Sequence, residues 1–162
     1  MRKRTPAAIL AAILCSGLLA ACGSSDEGSG GASGGGEGGD KTLKIGYAAA
    51  LSGVLAPYDT PFHNALKVAL DEKNAAGGLA GYKVELTVKD AKSEIPVAAQ
   101  VSQELVDSGI DVLITPCDAD PSVAAGQAAQ TAKIPAISGC AGSAQLPGAV
   151  GDFMFQNVFA VN

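Results

Sequence analysis

Beyond its first forty residues, the chain alternates between the hydrophobic patterns of strands and of helices. Apolar residues at every second position predict strands over residues 43–47 and 84–88, and the second of these has the polar face typical of a sheet edge. The continuous apolar run 112–114 predicts a strand that is covered on both faces and is therefore central. Short apolar runs predict two further strands, over residues 136–138 and 153–155.

A first helix is predicted between the first two strands. Thr60 and Pro61 are a typical N-cap and first helical residue, and apolar residues follow at the i, i+3, i+4, i+7 and i+8 positions of one helical face. These residues are Phe62, Ala65, Leu66, Ala69 and Leu70. The segment 74–78 then ends the helix, because its glycines can adopt the left-handed conformation that closes a helix.

Two more helices are predicted from caps and apolar faces. Ser93 is the candidate N-cap of the second helix, and Gly109 follows its end. The apolar face of this helix consists of Ala98, Val101 and Leu105. Asp120 and Pro121 are the predicted cap and first turn of a third helix, which is rich in alanine and can therefore pack close to a sheet.

The order of these elements predicts the fold class. Strands that alternate with helices indicate an α/β fold, with a doubly wound, mainly parallel sheet and helices on both faces. Such sheets bind ligands in the crevice at the carboxyl ends of their strands. We therefore expect three loops to converge there, over residues 50–58, 115–120 and 139–145.

The N-terminal segment has the pattern of an export signal. Basic residues at positions 2–4 precede the apolar run 6–21, which is shorter than a membrane span requires. The sequence LAAC at positions 19–22 resembles the lipobox of bacterial lipoproteins, which implies cleavage before Cys22 and acylation of its sulfur. The alternative is an ordinary signal peptide that is cleaved near Ala21.

A glycine-rich segment follows this signal. Nine of the eighteen residues 23–40 are glycine, and a segment of this composition cannot form a core. The predicted organisation is a signal peptide over residues 1–21, a lipidated cysteine and tether over 22–40, and one folded domain over 41–162. A lipid on Cys22 would be the only connection of that domain to the membrane.

The charge balance excludes one class of partner. The chain has sixteen acidic and eleven basic residues, and three of the basic residues lie in the predicted signal peptide. The mature chain would therefore be strongly acidic. No basic surface remains that would bind nucleic acid.

Three motifs resemble the type I periplasmic binding proteins of the branched-chain amino-acid (leucine-binding) kind, which feed ABC importers. They are KIGYAAALSGVLAPY at positions 44–58, DEKNAAGGLAGYKVEL at 71–86 and IPAISGCAGSAQL at 134–146. The resemblance implies an extracytoplasmic, lipid-anchored protein that delivers a small polar solute, amino-acid-like or related, to an ABC permease. It also implies two lobes, of which residues 41–162 would be the N-terminal one in a longer protein. No cofactor is implied.

The resemblance also implies ligand-binding positions. The loop after the first strand places Ser52 near the ligand and Tyr58 as an aromatic lid, although Tyr58 is equally compatible with a surface tyrosine. Hydroxyl and backbone groups after the third and fourth strands would hold a ligand carboxylate. The corresponding positions here are Cys117, Asp118, Ala119, Ala141, Gly142 and Ser143.

Two of these positions depart from the leucine-binding pattern. Asp118 replaces a serine and Gly142 replaces a threonine, so a ligand carboxylate would meet a like charge and lose a hydroxyl donor. These departures argue against leucine-like ligands. Asp118 is either a solvated loop acid or a partner for a cationic or polyhydroxyl ligand. Asp120 is interpreted as a structural cap in preference to a ligand group.

The two cysteines of the predicted domain have three possible states. Cys117 and Cys140 follow strands that should be neighbours, so we predict a disulfide between them that stiffens the ligand loops. Free thiols are the second possibility. A metal site with Asp118 and Asp120 is the third, and we expect none, because zinc prefers histidines or further cysteines.

An enzyme and a sensory module are the two alternative function classes. An enzyme would need Cys117 as nucleophile and His63, the only histidine, as base, and no nucleophile elbow or C-x-x-C motif accompanies them. We therefore expect no catalytic activity. A sensory module would use the same fold and ligand edge but couple to a receptor instead of a permease.

Overall fold

The computed structural model describes residues 41–159, which contain nine elements of secondary structure. The strands are β1 (Thr42–Ala49), β2 (Lys83–Asp90), β3 (Val112–Thr115), β4 (Ala136–Ser138) and β5 (Met154–Gln156). The helices are α1 (Ala56–Ala75), α2 (Ile95–Asp107), α3 (Ala119–Ala132) and α4 (Leu146–Val150). The predicted signal peptide, the tether and Cys22 lie outside the described residues.

The five strands form one parallel sheet in the order β2-β1-β3-β4-β5. The prediction of a doubly wound α/β fold is confirmed, because the chain moves from β1 to one side for β2 and to the other side for β3, β4 and β5. β2 lies at an edge and β3 at the centre, as the polar face of the first and the continuous apolar run of the second predict.

The two faces of the sheet carry different helices. On one face, α2, α3 and α4 cover a core of alanine and branched aliphatic side chains, which includes Ala98, Leu105, Leu113 and Ala129. On the other face, α1 packs through Phe62, Leu66 and Leu70 on a second apolar cluster. The small alanine side chains allow the close approach of helix and sheet that the sequence predicts.

The α1 helix begins five residues earlier than predicted. Its N-cap is Leu55, which makes no side-chain capping bond, and Pro61 lies inside the helix instead of starting it. Pro57 occupies the first turn, where the missing N–H of proline does no harm. The early start also places Asp59 in the first turn, where its carboxylate is completely buried. On the predicted apolar face, Ala65 and Ala69 are exposed, because the buried stripe is narrower than predicted.

The predicted caps of the next two helices are also wrong. The N-cap of α2 is Glu94, while Ser93 has a left-handed backbone (φ 58°) and its hydroxyl binds the loop after β1. The N-cap of α3 is Asp118, so Asp120 lies within the first turn. The short helix α4 was not predicted. Residue type predicts caps that bond through their side chains, whereas none of the N-caps Leu55, Glu94 and Asp118 makes such a bond.

Candidate functional site

All strands are parallel, so the loops that follow β1, β3 and β4 leave the same edge of the sheet. We call this region the carboxyl edge, and define it as residues 50–55, 116–118 and 139–145. These loops coincide with the three that the sequence places together. Two strong connections and one close packing contact link them.

The first connection is made by the carboxylate of Asp59, which has no exposed surface. Its Oδ1 accepts hydrogen bonds from the Tyr47 hydroxyl (2.7 Å) and the Ala50 N–H (3.0 Å). Its Oδ2 accepts one from the Cys117 N–H (3.0 Å). A buried carboxylate is tolerated only when its oxygens are hydrogen-bonded, and each such bond contributes about 1.5–3 kcal/mol. Asp59 therefore joins the loop after β1 to the loop after β3.

Tyr47 is the buried donor in this arrangement. Burial of its side chain raises the pKa of the Tyr47 hydroxyl far above the ordinary value, and the hydrogen bond to Asp59 and the negative charge of Asp59 raise it further. The hydroxyl therefore remains protonated and continues to donate to Asp59 throughout the physiological pH range.

The second connection is a disulfide between Cys117 and Cys140. The Cα atoms of the two cysteines are 4.8 Å apart, within the usual range for such a bridge. It joins the loop after β3 to the loop after β4. Because Cys117 is bonded to Cys140, its sulfur is not a free nucleophile, and the hypothetical pair of Cys117 with His63 has no support in the structure.

Close packing places the loop after β4 against α1. A Cβ atom built on Gly139 would lie 2.2 Å from the Phe62 ring, so only glycine fits at this position without movement. The Phe62 ring is itself held in edge-to-face contact with Tyr47, with 5.7 Å between the ring centroids. Gly139 thus sets how near the third loop lies to the first helix.

Asp90, at the end of β2, organises the loop after β1 from the other side. Its Oδ1 accepts hydrogen bonds from the N–H groups of Leu51 (2.9 Å), Ser52 (3.3 Å) and Lys92 (2.8 Å), and its Oδ2 accepts one from the Ser52 hydroxyl (2.7 Å). Partial burial raises the pKa of the Asp90 carboxyl, but these hydrogen bonds outweigh that effect, so the pKa lies below its ordinary value. The carboxylate is therefore ionised in neutral solution.

Ser93 also binds the loop after β1. Its hydroxyl donates to the Ser52 carbonyl oxygen (2.6 Å) and accepts from the Leu55 N–H (2.9 Å). Gly53 packs against Ser93 with a φ of 80°, a conformation that favours glycine. The loop after β1 is therefore fixed on two sides, by Asp59 and by the segment that follows β2.

The predicted ligand positions lie at the carboxyl edge or at the starts of α1 and α3, but their exposure differs. Tyr58 is 65% exposed, and Asp118 is also exposed. The Ser52 hydroxyl is bonded to Asp90. Both backbone groups of Ala141 bond to the buried Ser138 hydroxyl at 3.1 Å. The half-buried positions are Ala119, Gly142 and Ser143.

The N-terminus of α3 contributes backbone donors to this edge. Ser122 donates the first hydrogen bond within the helix, to the Asp118 carbonyl oxygen (3.1 Å). The N–H groups of Ala119 and Asp120 precede it and have no acceptor within the helix. The carboxylates of Asp118 and Asp120 flank these donors, so an anion at this position would also meet two negative charges.

Asp59, Asp90 and Ser93 were not predicted as parts of the site. Asp59 and Asp90 bond to loops up to 58 residues away in sequence, and no local pattern encodes such partners. The only local signals are an acid just before the predicted N-cap Thr60 and an acid two residues beyond the predicted second strand.

A cavity of about 320 Å³ lies elsewhere, between α1 and β2. It is lined by His63, Lys67, Leu70, Asp71, Asn74, Val84, Leu86 and Val88. These residues run along one face of the sheet and not along its carboxyl edge. Within residues 41–159, no group of three or more His, Cys, Asp or Glu residues is arranged to hold a metal ion. None of the helices described in that range has the length and apolar content that a membrane crossing requires.

Comparison with known proteins agrees with this architecture. A family model described as "Periplasmic binding protein" matches residues 42–162. The chain belongs to this family. The match includes all nine elements of secondary structure described above.

Individual relatives are similar over part of their length. A curated Leu/Ile/Val-binding protein, BraC3 of Rhizobium johnstonii, is 32% identical over 74 residues, which cover 46% of this chain and 20% of that protein. The structure of the branched-chain amino acid transporter substrate-binding protein LivJ from Streptococcus pneumoniae, in complex with isoleucine, is 37% identical. Its TM-score is 0.70, and the match covers 74% of this chain and 34% of that one.

A third relative has a different ligand. The solute-binding protein of an ABC transporter from Rhodopseudomonas palustris BisB5, in complex with 3,4-dihydroxybenzoic acid, is 26% identical with a TM-score of 0.66. The match covers 74% of this chain and 32% of that one. The chain thus spans about a third of the length of these solved relatives, and their ligands are chemically diverse.

Proposed function

We propose that the chain forms one lobe of an extracytoplasmic solute-binding lipoprotein that delivers a small polar solute, amino-acid-like or related, to an ABC importer. The observation that carries this proposal is the carboxyl edge, where three loops are tied together beside the backbone donors of α3. Family membership and the transporter-associated relatives support it. The ABC permease is the proposed protein partner.

The acidic residues at the start of α3 are the basis for the solute class that we propose. Asp118 and Asp120 lie in the cap and first turn of α3, and both are exposed. A ligand carboxylate at this helix start would gain the backbone donors but would face two negative charges. A solute with an ammonium or hydroxyl group at this position would instead pair with the Asp118 carboxylate. We therefore propose a solute with a cationic or hydroxyl-rich end.

Substitution of Asp118 tests this proposal directly. The intact protein and its Asp118→Ser variant are titrated calorimetrically with three probes, which are L-isoleucine, a diamine and a polyol of similar size. We expect Asp118→Ser to strengthen L-isoleucine binding about tenfold, because a repulsive charge is replaced by a donor, and to weaken binding of the preferred cationic or hydroxylated probe.

Asp152→Ser is the matched control, because Asp152 is an exposed acid that precedes β5 and so lies at the opposite end of the sheet. It should leave all three affinities unchanged. Weaker L-isoleucine binding by Asp118→Ser, or equal effects of the two substitutions, would contradict the proposed solute class. Solute binding without uptake through a permease would favour the sensory alternative.

The anchor is proposed from the sequence around Cys22. The proposed lipid on its sulfur would hold the protein at the outer surface of the cell membrane, and the glycine-rich tether would leave the domain free to meet a permease. In detergent phase separation of whole-cell extracts, the natural protein should enter the detergent phase and a Cys22→Ser variant the aqueous phase. Equal partitioning of the two would refute the anchor.

A further inference from the structure

Cys117 is held at two of its atoms by two different partners. Its backbone N–H donates to Asp59 Oδ2 at 3.0 Å, and its sulfur is bonded to Cys140. Asp59 Oδ1 accepts from Ala50 and Tyr47. A continuous series of bonds therefore runs from the end of β1, through the first turn of α1 and the loop after β3, to the loop after β4.

The burial of Asp59 makes this series resistant to displacement. If Cys117 moved away, Oδ2 would lose its donor while remaining in a site without exposed surface. A buried carboxylate oxygen that has lost its donor is unfavourable, so Asp59 opposes any such movement. The equilibrium between a dithiol and a disulfide depends on how often the two sulfurs are within bonding reach. Asp59 therefore favours the disulfide by holding the Cys117 backbone in place.

We propose that Asp59 is a positioning residue of the carboxyl edge, which holds Cys117 where its sulfur pairs with Cys140. The carboxylate and the disulfide are then thermodynamically coupled, and each stabilises the other by the same factor. Together they fix the loop from which the backbone donors of α3 begin. The assignment of this edge to a solute rests on the proposed function, but the coupling is measurable without any solute.

The redox equilibrium of the disulfide tests the coupling. The intact folded protein is equilibrated with mixtures of reduced and oxidised glutathione, trapped by alkylation and analysed by mass. Each reduction breaks the Sγ–Sγ bond, adds one hydrogen to each sulfur and joins two glutathione molecules as their disulfide. We expect Asp59→Asn to shift the equilibrium about tenfold toward the dithiol, the effect of losing one hydrogen bond to a charged group.

The matched control is Tyr47→Phe. In Asp59→Asn, the side-chain oxygen can still accept from Tyr47 and Ala50, but its NH₂ group faces the Cys117 N–H and cannot accept from it. Tyr47→Phe removes only a donor to Oδ1 and leaves the bond to Cys117 in place. Tyr47→Phe should leave the redox equilibrium unchanged to within about twofold. An unchanged equilibrium in Asp59→Asn would overturn the proposal. Equal shifts in both variants would also overturn it, because they would indicate general loosening.

A measurement on the unmodified sequence covers the case in which Asp59→Asn does not fold. Because coupling is reciprocal, reduction of the disulfide should also loosen the bond from the Cys117 N–H to Asp59. Amide hydrogen exchange at Cys117 should therefore become several-fold faster in the reduced protein, while exchange at Leu113 in the centre of the sheet should not change. Equal protection of Cys117 before and after reduction would refute the coupling.

Discussion

Asp59 and Asp90 stabilise the carboxyl edge by the same chemistry in different surroundings. Each carboxylate accepts backbone N–H groups from a loop that has no regular secondary structure. Asp59 is completely buried, whereas Asp90 is half-buried. Loss of Asp59 should therefore affect the fold more strongly, because a buried group left without partners costs more than a solvated one.

The buried Tyr47 hydroxyl gives a prediction at high pH. The ordinary pKa of tyrosine is 10.0, and burial together with Asp59 raises the pKa of Tyr47 well above it. Tyr47 should thus ionise only in the unfolded chain, so the folded protein and its Tyr47→Phe variant should release equal numbers of phenol protons. Spectrophotometric titration of tyrosinate measures this number. One extra proton released by the folded natural sequence would contradict the assignment.

The same shift predicts how stability changes with pH. Above pH 10.0, the unfolded chain loses the Tyr47 proton while the folded chain keeps it. The unfolded state then binds fewer protons, so the free energy of unfolding falls as pH rises, by about 1.4 kcal/mol per pH unit from this group. Denaturant unfolding at increasing pH should show this additional fall in the natural sequence and not in Tyr47→Phe.

At the scale of elements, the local sequence was enough for the strands and not for the helix starts. Apolar alternation and apolar runs are properties of neighbouring residues, and they located all five strands to within a few residues. The caps of α1, α2 and α3 are Leu55, Glu94 and Asp118, and none makes a side-chain capping bond. These starts are decided by long-range contacts such as those of Asp59 and Ser93.

The candidate site was likewise predictable in part, where local sequence patterns decide, and not where long-range contacts decide. The sequence placed three loops at one edge because parallel strands share a direction, and the even pair of cysteines in an exported domain predicted the disulfide that the structure contains. The hydrogen bonds of Ser52 to Asp90 and of Ala141 to Ser138 were not predictable, because partners at the ends of different strands meet only in the folded sheet.

The contact between the loop after β4 and α1 gives a prediction for Gly139. A methyl group at this position would meet the Phe62 ring at 2.2 Å, and that ring is packed against Tyr47. Gly139→Ala should lower the free energy of unfolding by about 1–3 kcal/mol, as overpacking usually does. Denaturant unfolding measures the change.

Gly148→Ala is the control for this substitution, because a Cβ atom built on Gly148 meets no atom within 4 Å. It should be neutral or slightly stabilising. The additional change Phe62→Leu should recover part of the loss in Gly139→Ala. Equal stability of Gly139→Ala and Gly148→Ala would contradict the claim that packing of Gly139 against Phe62 constrains the loop after β4.

At the scale of the whole molecule, the sheet order explains why we propose the carboxyl edge as the ligand site. The chain reverses its direction of winding between β1 and β3, and loops that diverge from such a point leave a crevice between them. Asp59 and the disulfide join the loops at this point to one another. The chain spans about a third of its solved relatives, so the remaining ligand contacts are proposals for the intact protein.

The most direct test of the solute-binding account is to locate a bound solute by NMR. The intact protein, isotopically labelled, is titrated with whichever probe of the calorimetric panel binds most tightly. We expect the amide signals of residues 117–120 and 142–143 to shift most. Shifts concentrated on His63, Leu70 and Val84, around the cavity between α1 and β2, would contradict it and place binding on the other surface.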